Sequence, residues 1–272
     1  MAVHCRARSR TFDVMIRALN QKTCRTLSFP DYLEMAVATG CGGIEVRNDL
    51  GHPIFDGMDP ANAKALIAEK GLRLFGVSEV YGFNVWSDEI AQQITDLAQL
   101  ADAAGAETMS LIPTVDNRPT LTIREMLREL MPIFRGLSVK PLIEPIGFET
   151  SSIKGKADLV AAIDEIAPEM FAIVHDTFQH TIANETEIFP DHTAMVHISG
   201  ISDPQLALDS GADAHRVFVN PDDRSAAIPQ IRAFIERGYN GAFSFECTEP
   251  AVIDVENGDL IRRSFDWIES QI

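Results

Sequence analysis

Four short apolar runs in the second half of the sequence end on side chains that can hold a metal ion or move a proton. PLIEP carries Glu144, FAIVHDTFQH carries Asp176, MVHISG carries His197 and FSFECTEP carries Glu246. A short apolar run bounded by polar residues reads as a fully buried strand. A carboxylate buried at the end of one is costly unless a cation or a set of donors receives it. One such ending is ordinary, but four in succession point to ligands converging on one ion. Three carboxylates and an imidazole form a hard, oxygen-rich set that suits Mn²⁺, Mg²⁺ or Co²⁺, with Zn²⁺ also compatible. Without an ion the carboxylates would repel and some would take up protons.

The elements that must place these side chains alternate along the chain. FDVMIRALNQ reads as a first strand, and Ser28, Phe29 and Pro30 open a helix that closes near Gly40. GGIEVRND, GLRLFGVSEV, ETMSLIPTVD, KPLIEP, MFAIVHDT, TAMVHISG and GAFSFECTEP supply seven more strands. Periodic segments lie between them: a helix from Pro60, one capped by Ser87 with acids in its first turn, TIREMLRELMPIFRGL and KGKADLVAAIDEIAPE. A brief helical segment is expected over 184–189 and an irregular stretch over 200–223; AAIPQIRAFIERG and DLIRRSFDWIESQI are the last two helices. Eight strand–helix units in an α/β chain of 272 residues predict a single (β/α)8 TIM barrel. We place it over 12–272, after a short flexible N-terminal leader at 1–11. A doubly wound open sheet would want a Gly-rich phosphate turn after the first strand, and ALNQKTCRTLS has none.

Active sites of such barrels lie at the C-terminal ends of the strands. Glu144, Asp176, His197 and Glu246 fall there on strands five to eight, around one side of the barrel mouth. Period-two alternation agrees: with Glu246 inward, Ser244 is inward, and Phe243 and Phe245 face the helices.

Composition excludes several other classes. Twenty-three basic against forty acidic residues give a net charge of −17, with no basic stripe, which argues against nucleic acid as a partner. No apolar run approaches the roughly 20 residues that span a bilayer, so no membrane partner is expected. The four cysteines form no CxxC pair, which suits reduced thiols and a cytoplasmic location. The oligomeric state is left open, a homo-oligomer included.

The order of the four motifs, with GGIEVRND early and HRVFVNPDD late, resembles the xylose isomerase-like TIM barrels and, within them, the sugar epimerases and the inosose (2-keto-myo-inositol) isomerases. The resemblance runs from about Phe12 to the end of the chain. It implies that Glu144, Asp176, His197 and Glu246 bind one divalent ion, Mn²⁺ first. It also implies that Glu144 and Glu246 are the catalytic acid and base, and that the substrate is a small polyol or ketose. Such chemistry takes a proton from beside a carbonyl and returns it at the neighbouring carbon through a metal-stabilised enediolate. Family members commonly carry a His three residues after the strand-six Asp; this chain has Gln179 there and His180 one place later. The family's Arg-Val-x-Pro-Gly-x-Gly turn appears as Arg216 and Val217 followed by FVNPDDR, without the glycines. His180 and Arg216 are the implied substrate contacts.

Among the remaining residues, Glu79 and Trp86 follow strand three with Tyr81 and Phe83, where they would cover a sugar ring or close the barrel top. Glu45 and Arg47 point inward together and are expected to pair across the barrel. His175 faces the opposite side of its strand from Asp176, in a structural role, and Lys154 and Lys156 are expected to be surface charges. The loops after strands seven and eight are acidic, which favours an unphosphorylated substrate. A dehydratase on the same barrel, similar to dehydroshikimate dehydratases, is the main alternative. An endonuclease IV-like repair enzyme and a non-catalytic sugar-binding barrel are weaker ones.

Overall fold

Along the strands of this chain, small or polar residues alternate with large apolar ones, and the alternation sorts them between two cores. The computed structural model describes residues 15–272, so the leader expected at 1–11 lies outside the described residues. Eight parallel strands close in sequence order: β1 Ile16–Asn20, β2 Gly43–Arg47, β3 Arg73–Tyr81, β4 Thr108–Ile112, β5 Lys140–Ile143, β6 Ala172–Asp176, β7 Thr193–Ile198 and β8 Ala242–Phe245. Helices α1 Phe29–Ala38, α2 Pro60–Glu69, α3 Asp88–Ala104, α4 Ile123–Phe134 and α5 Ala157–Ile166 follow the first five strands. Beyond β6 come α6 Thr177–Ile182, α7 Ala227–Glu236, α8 Pro250–Ile253 and α9 Gly258–Gln271. The chain is a single (β/α)8 barrel. Among the described residues no helix is long and apolar enough to cross a membrane.

The barrel interior is filled from below by Ala18, Phe75, Leu142, Ala172, Val174, Met195 and Ala242. The outward residues, Phe243 and Phe245 among them, pack against the helices in the larger core. The inward set turns polar towards the C-terminal ends: Glu144, Asp176 and His197 follow Leu142, Val174 and Met195 two residues on, and on β8 Ala242 is followed inward by Ser244 and then Glu246. Register staggers them along the mouth: Ile143 lies beside Ile173, three residues short of Asp176. Asp176 lies beside His197 and His197 beside Ser244, two residues short of Glu246.

Two expectations about local structure need correction. No helix covers 184–189; α6 starts at once after β6, because Asp176 caps it through Oδ1, which accepts from Gln179 N at 2.8 Å. A carboxylate at that position receives an otherwise unpaired helix N–H, and this outweighs the weak helical pattern further on. The last helix is also preceded by a separate turn, α8, opened by Pro250. Elsewhere the caps agree with the sequence: Ser28 and Ser87 accept from Asp31 N and Ile90 N.

Candidate metal centre

Each of the four acidic or imidazole side chains is delivered by a strand end that has little freedom to move. The Glu144 N–H donates to Leu111 O and the Glu246 N–H to Ile198 O, which extends the ladder past β5 and β8. His197 and Asp176 lie within β7 and β6 themselves. The result brings one ligand atom from each of Glu144, Asp176, His197 and Glu246 within 4.8 Å of all the others. All four residues are buried.

The imidazole shows what this cluster is fitted to hold. His197 Nε2 is 3.1 Å from Glu45 Oε2, which fixes the ring. Its Nδ1 is buried without a hydrogen-bond partner among the described residues. That atom faces Glu246 Oε2 at 3.3 Å, Glu144 Oε1 at 3.6 Å and Asp176 Oδ2 at 4.0 Å. A ring oriented by a carboxylate on one nitrogen, with the other aimed at three carboxylates, is how protein-bound divalent ions are commonly held. The four side chains could therefore hold a metal ion.

Electrostatics separates the two glutamates. Burial pushes Glu144 up to about 7, against the pull of His197 and with Glu246 and Asp176 adding to the rise. Burial acts on Glu246 in the same direction, yet His197 and Arg216 beside it hold it well below the usual carboxylate range. Asp176 is raised by burial, with Arg216 opposing. Burial would lower His197, but Glu45, Glu246 and Glu144 together raise it well above the ordinary imidazole value. Protonation of His197 thus competes with any ion bound at Nδ1.

Two guanidinium groups frame the cluster. Arg216 Nη2 donates to Asp176 Oδ2 and, at 2.9 Å, to Glu246 Oε2. Arg47 Nη1 donates to Glu246 Oε1 at 2.7 Å, and its other nitrogens reach Asp49 and Glu79. Glu45 and Arg47 do point inward and pair across the barrel, Glu45 with His197 and Arg47 with Glu246. The pattern in GGIEVRND showed their direction; their partners on β7 and beyond β8 depend on barrel closure, which no local pattern reports.

A cavity of about 180 Å³ opens beside these residues, lined in part by Glu144, Glu246, Glu79, Arg47, Arg216 and Gln179. It is smaller than the roughly 300–1,000 Å³ of drug-sized pockets and suits a molecule of sugar size. Of the four expected substrate contacts, Glu79 and Arg216 line it, whereas His180 and Trp86 do not. Trp86 is half-buried against the large core. His180 turns away because it follows Gln179 on α6, where successive side chains point about 100° apart.

The neighbour of His180 corrects a second expectation. Lys156 is buried, not a surface charge: its Nζ donates to Glu185 Oε2 and lies 3.2 Å from His180 Nδ1. Burial lowers the Lys156 pKa, with Glu185 opposing. Burial would raise Glu185, but the His180 hydrogen bond and Lys156 bring it down to about 2. A depressed carboxylate stabilises the fold above its unfolded-state pKa and loses that contribution as pH falls. Relative to Glu185→Gln, the wild type should be more stable at neutral pH, and the difference should shrink from about pH 4.5 down towards 2. Melting curves of both proteins across that range check it; a difference that stays constant would show that the depressed acidity of Glu185 adds no stability. His175 faces the helices, with Nε2 2.8 Å from Gln230 Oε1.

Comparison with known proteins agrees with the architecture. No curated protein matches the sequence. Among solved structures, a xylose isomerase domain-containing protein from Salmonella typhimurium LT2 is 22% identical with a TM-score of 0.85, over 94% of this chain and 96% of that one. The IolI protein, solved with a bound zinc atom, is 15% identical with a TM-score of 0.81, over 95% and 99%. A D-allulose 3-epimerase from Methylomonas sp., solved with D-allulose, is 14% identical with a TM-score of 0.64, over 95% and 98%. At these identities the likeness is one of fold. Residues 33–271 match the family described as xylose isomerase-like TIM barrel, and the chain belongs to that family.

Proposed function

We propose that the protein is a divalent-metal-dependent isomerase or epimerase, with the catalytic domain over 12–272, acting on an unphosphorylated cyclic polyol ketone or ketose. The observation that carries the reading is the pair Glu144 and Glu246, which belong to the four-residue cluster and both line one sugar-sized cavity. Two carboxyl groups lining one cavity beside a bound ion are placed to act as acid and base in one step. Mn²⁺ is the proposed ion, with Mg²⁺, Co²⁺ and Zn²⁺ as alternatives. Held by Glu144, Asp176, His197 and Glu246, it would polarise the substrate carbonyl and offset the charge that builds on its oxygen.

Glu246, kept ionised between Arg47 and Arg216, takes the proton from the carbon next to the carbonyl. Glu144 returns one at the neighbouring carbon or on the opposite face. Arg216 and Glu79 line the same cavity and hold substrate oxygens. The charge balance favours a neutral substrate: Lys22, Arg47 and Arg216 face five lining carboxylates, with Asp176 and Glu45 buried close by. Even a divalent ion leaves that set net negative, so a phosphate would be repelled. The buried free thiols Cys24, Cys41 and Cys247 suit a reducing, cytoplasmic setting.

The test is product analysis with 2-keto-myo-inositol, then simple ketoses, each with the four metals supplied in turn. The reading expects a product of unchanged mass. A product lighter by one water, with a growing conjugated absorbance from dehydroshikimate, would move the assignment to a dehydratase. Turnover of none of these compounds would remove the substrate claim.

A further inference from the structure

Gln179 is placed with a definite amide orientation. Its Oε1 accepts from the Gly147 N–H at 2.9 Å, so the flip of the amide is fixed by a donor that cannot be reversed. Nε2 has no acceptor among the described protein groups, and the side chain lines the cavity beside Glu144. The approach that makes this bond requires a glycine: a Cβ on Gly147 would lie 2.2 Å from Gln179 O and 3.0 Å from Ala183 N. The Lys156–Glu185 pair ties the start of α5 to the chain just beyond α6 and so holds this helix in place. Gln179 therefore offers the cavity donors alone, from a rigid mount.

The wall next to it is apolar. Ile112 and Val115 come from the end of β4 and the residues after it, and Ile146 and Phe148 from the chain after β5. Phe148 is backed by Phe178, Ile182 and Ile201. The charged lining, by contrast, comes mainly from the β1–β3 and β7–β8 sides. A ligand matched to both sides has oxygens around its edge and C–H groups on its face.

We propose that Gln179 Nε2 donates to one edge hydroxyl of a cyclic polyol ketone while Ile112, Ile146 and Phe148 receive its C–H face. Gln179 is then the residue that selects among polyols by the position of one hydroxyl. The proposal rests on the isomerase reading above and narrows its substrate to a ring.

The experiment uses the Mn²⁺-loaded full chain with Q179M, Q179E and F148A, assayed with 2-keto-myo-inositol, its monodeoxy analogues and an open-chain ketose. Losing one neutral hydrogen bond should raise KM by roughly threefold to tenfold in Q179M, with kcat changed less than about twofold, whereas Q179E, which accepts where the amide donated, should alter the preference among the analogues. Q179E also keeps an acceptor for the Gly147 N–H should Q179M fold poorly. One monodeoxy analogue should be indifferent to the substitution, a pattern that a general loosening of the site would not produce. F148A should weaken the ring ketone more than the open-chain ketose. Unchanged KM in both Gln179 variants, or an equal shift for every analogue, would overturn the proposal while leaving the isomerase reading intact. Failure of the wild type on every ketone overturns that reading and this one with it, and it is seen before any variant is made.

Discussion

His197→Ala should remove the divalent ion, turnover and part of the fold's stability in one step. The imidazole offers its unpaired Nδ1 to the cluster and its Nε2 to Glu45, so its loss acts on both sides. On the cluster side one of four donors disappears and three carboxylates are left facing each other. If the ion contributes several kcal/mol to the transition state, turnover should fall on the order of 10³-fold or more. On the other side Glu45, which is fully buried, keeps only a 3.5 Å contact to Asn20 Nδ2. Breaking a buried pair by removing one partner costs about 3–5 kcal/mol. Elemental analysis, activity and melting temperature should fall together, and added Mn²⁺ should raise the melting temperature of the wild type only. A variant that retains a full equivalent of tightly bound ion would show the ligand assignment to be wrong.

Glu144→Gln and Glu246→Gln should each lower kcat by roughly 10²- to 10⁴-fold, the usual range for losing a positioned acid or base. KM should change far less, because Arg216, Glu79 and the rest of the cavity remain. The metal-free variants should differ in stability. Glu144→Gln removes a like charge from beside Asp176 and Glu246, so it should be neutral or mildly stabilising. Glu246→Gln removes the carboxylate shared by Arg47 and Arg216 and should be destabilising. Metal analysis must accompany the rates, since both residues belong to the proposed ligand set. A Glu144→Gln protein with its ion bound and more than a tenth of wild-type kcat would take Glu144 out of the proton path.

The barrel and its four-residue cluster were legible in the sequence because both rest on local regularities. Strand–helix alternation is a matter of periodicity, and an inward polar residue at the end of an apolar run marks the mouth of the barrel. The unseen features all depend on closure or on a single turn. Asp176 caps α6, and this moved the helix from 184–189 to Thr177–Ile182 and aimed Gln179 rather than His180 at the cavity. Lys156 reads as a surface lysine in KGKADL, and only the approach of Glu185, 29 positions away, gives its charge a buried partner. Trp86 is drawn against the large core by packing that no spacing rule reports. The ring of contacts from Arg47 to Glu246 spans 199 positions, a separation that only the meeting of β1 and β8 makes short.

The most direct test of the central claim, proton transfer by Glu144 and Glu246 at a metal-binding cluster, is solvent label at equilibrium. The Mn²⁺-loaded protein and 2-keto-myo-inositol are held in D₂O for many turnovers after equilibrium is reached, and both pools are examined by NMR and mass spectrometry. A carboxylate that carries the same proton across in most turnovers still exchanges it occasionally, and repeated cycling accumulates those events. The account predicts deuterium at the carbon next to the carbonyl in both pools, at a rate reduced at least a hundredfold in Glu144→Gln and Glu246→Gln. Full equilibration with no deuterium in either pool would mean that hydrogen moves directly between the carbons, and would contradict the account.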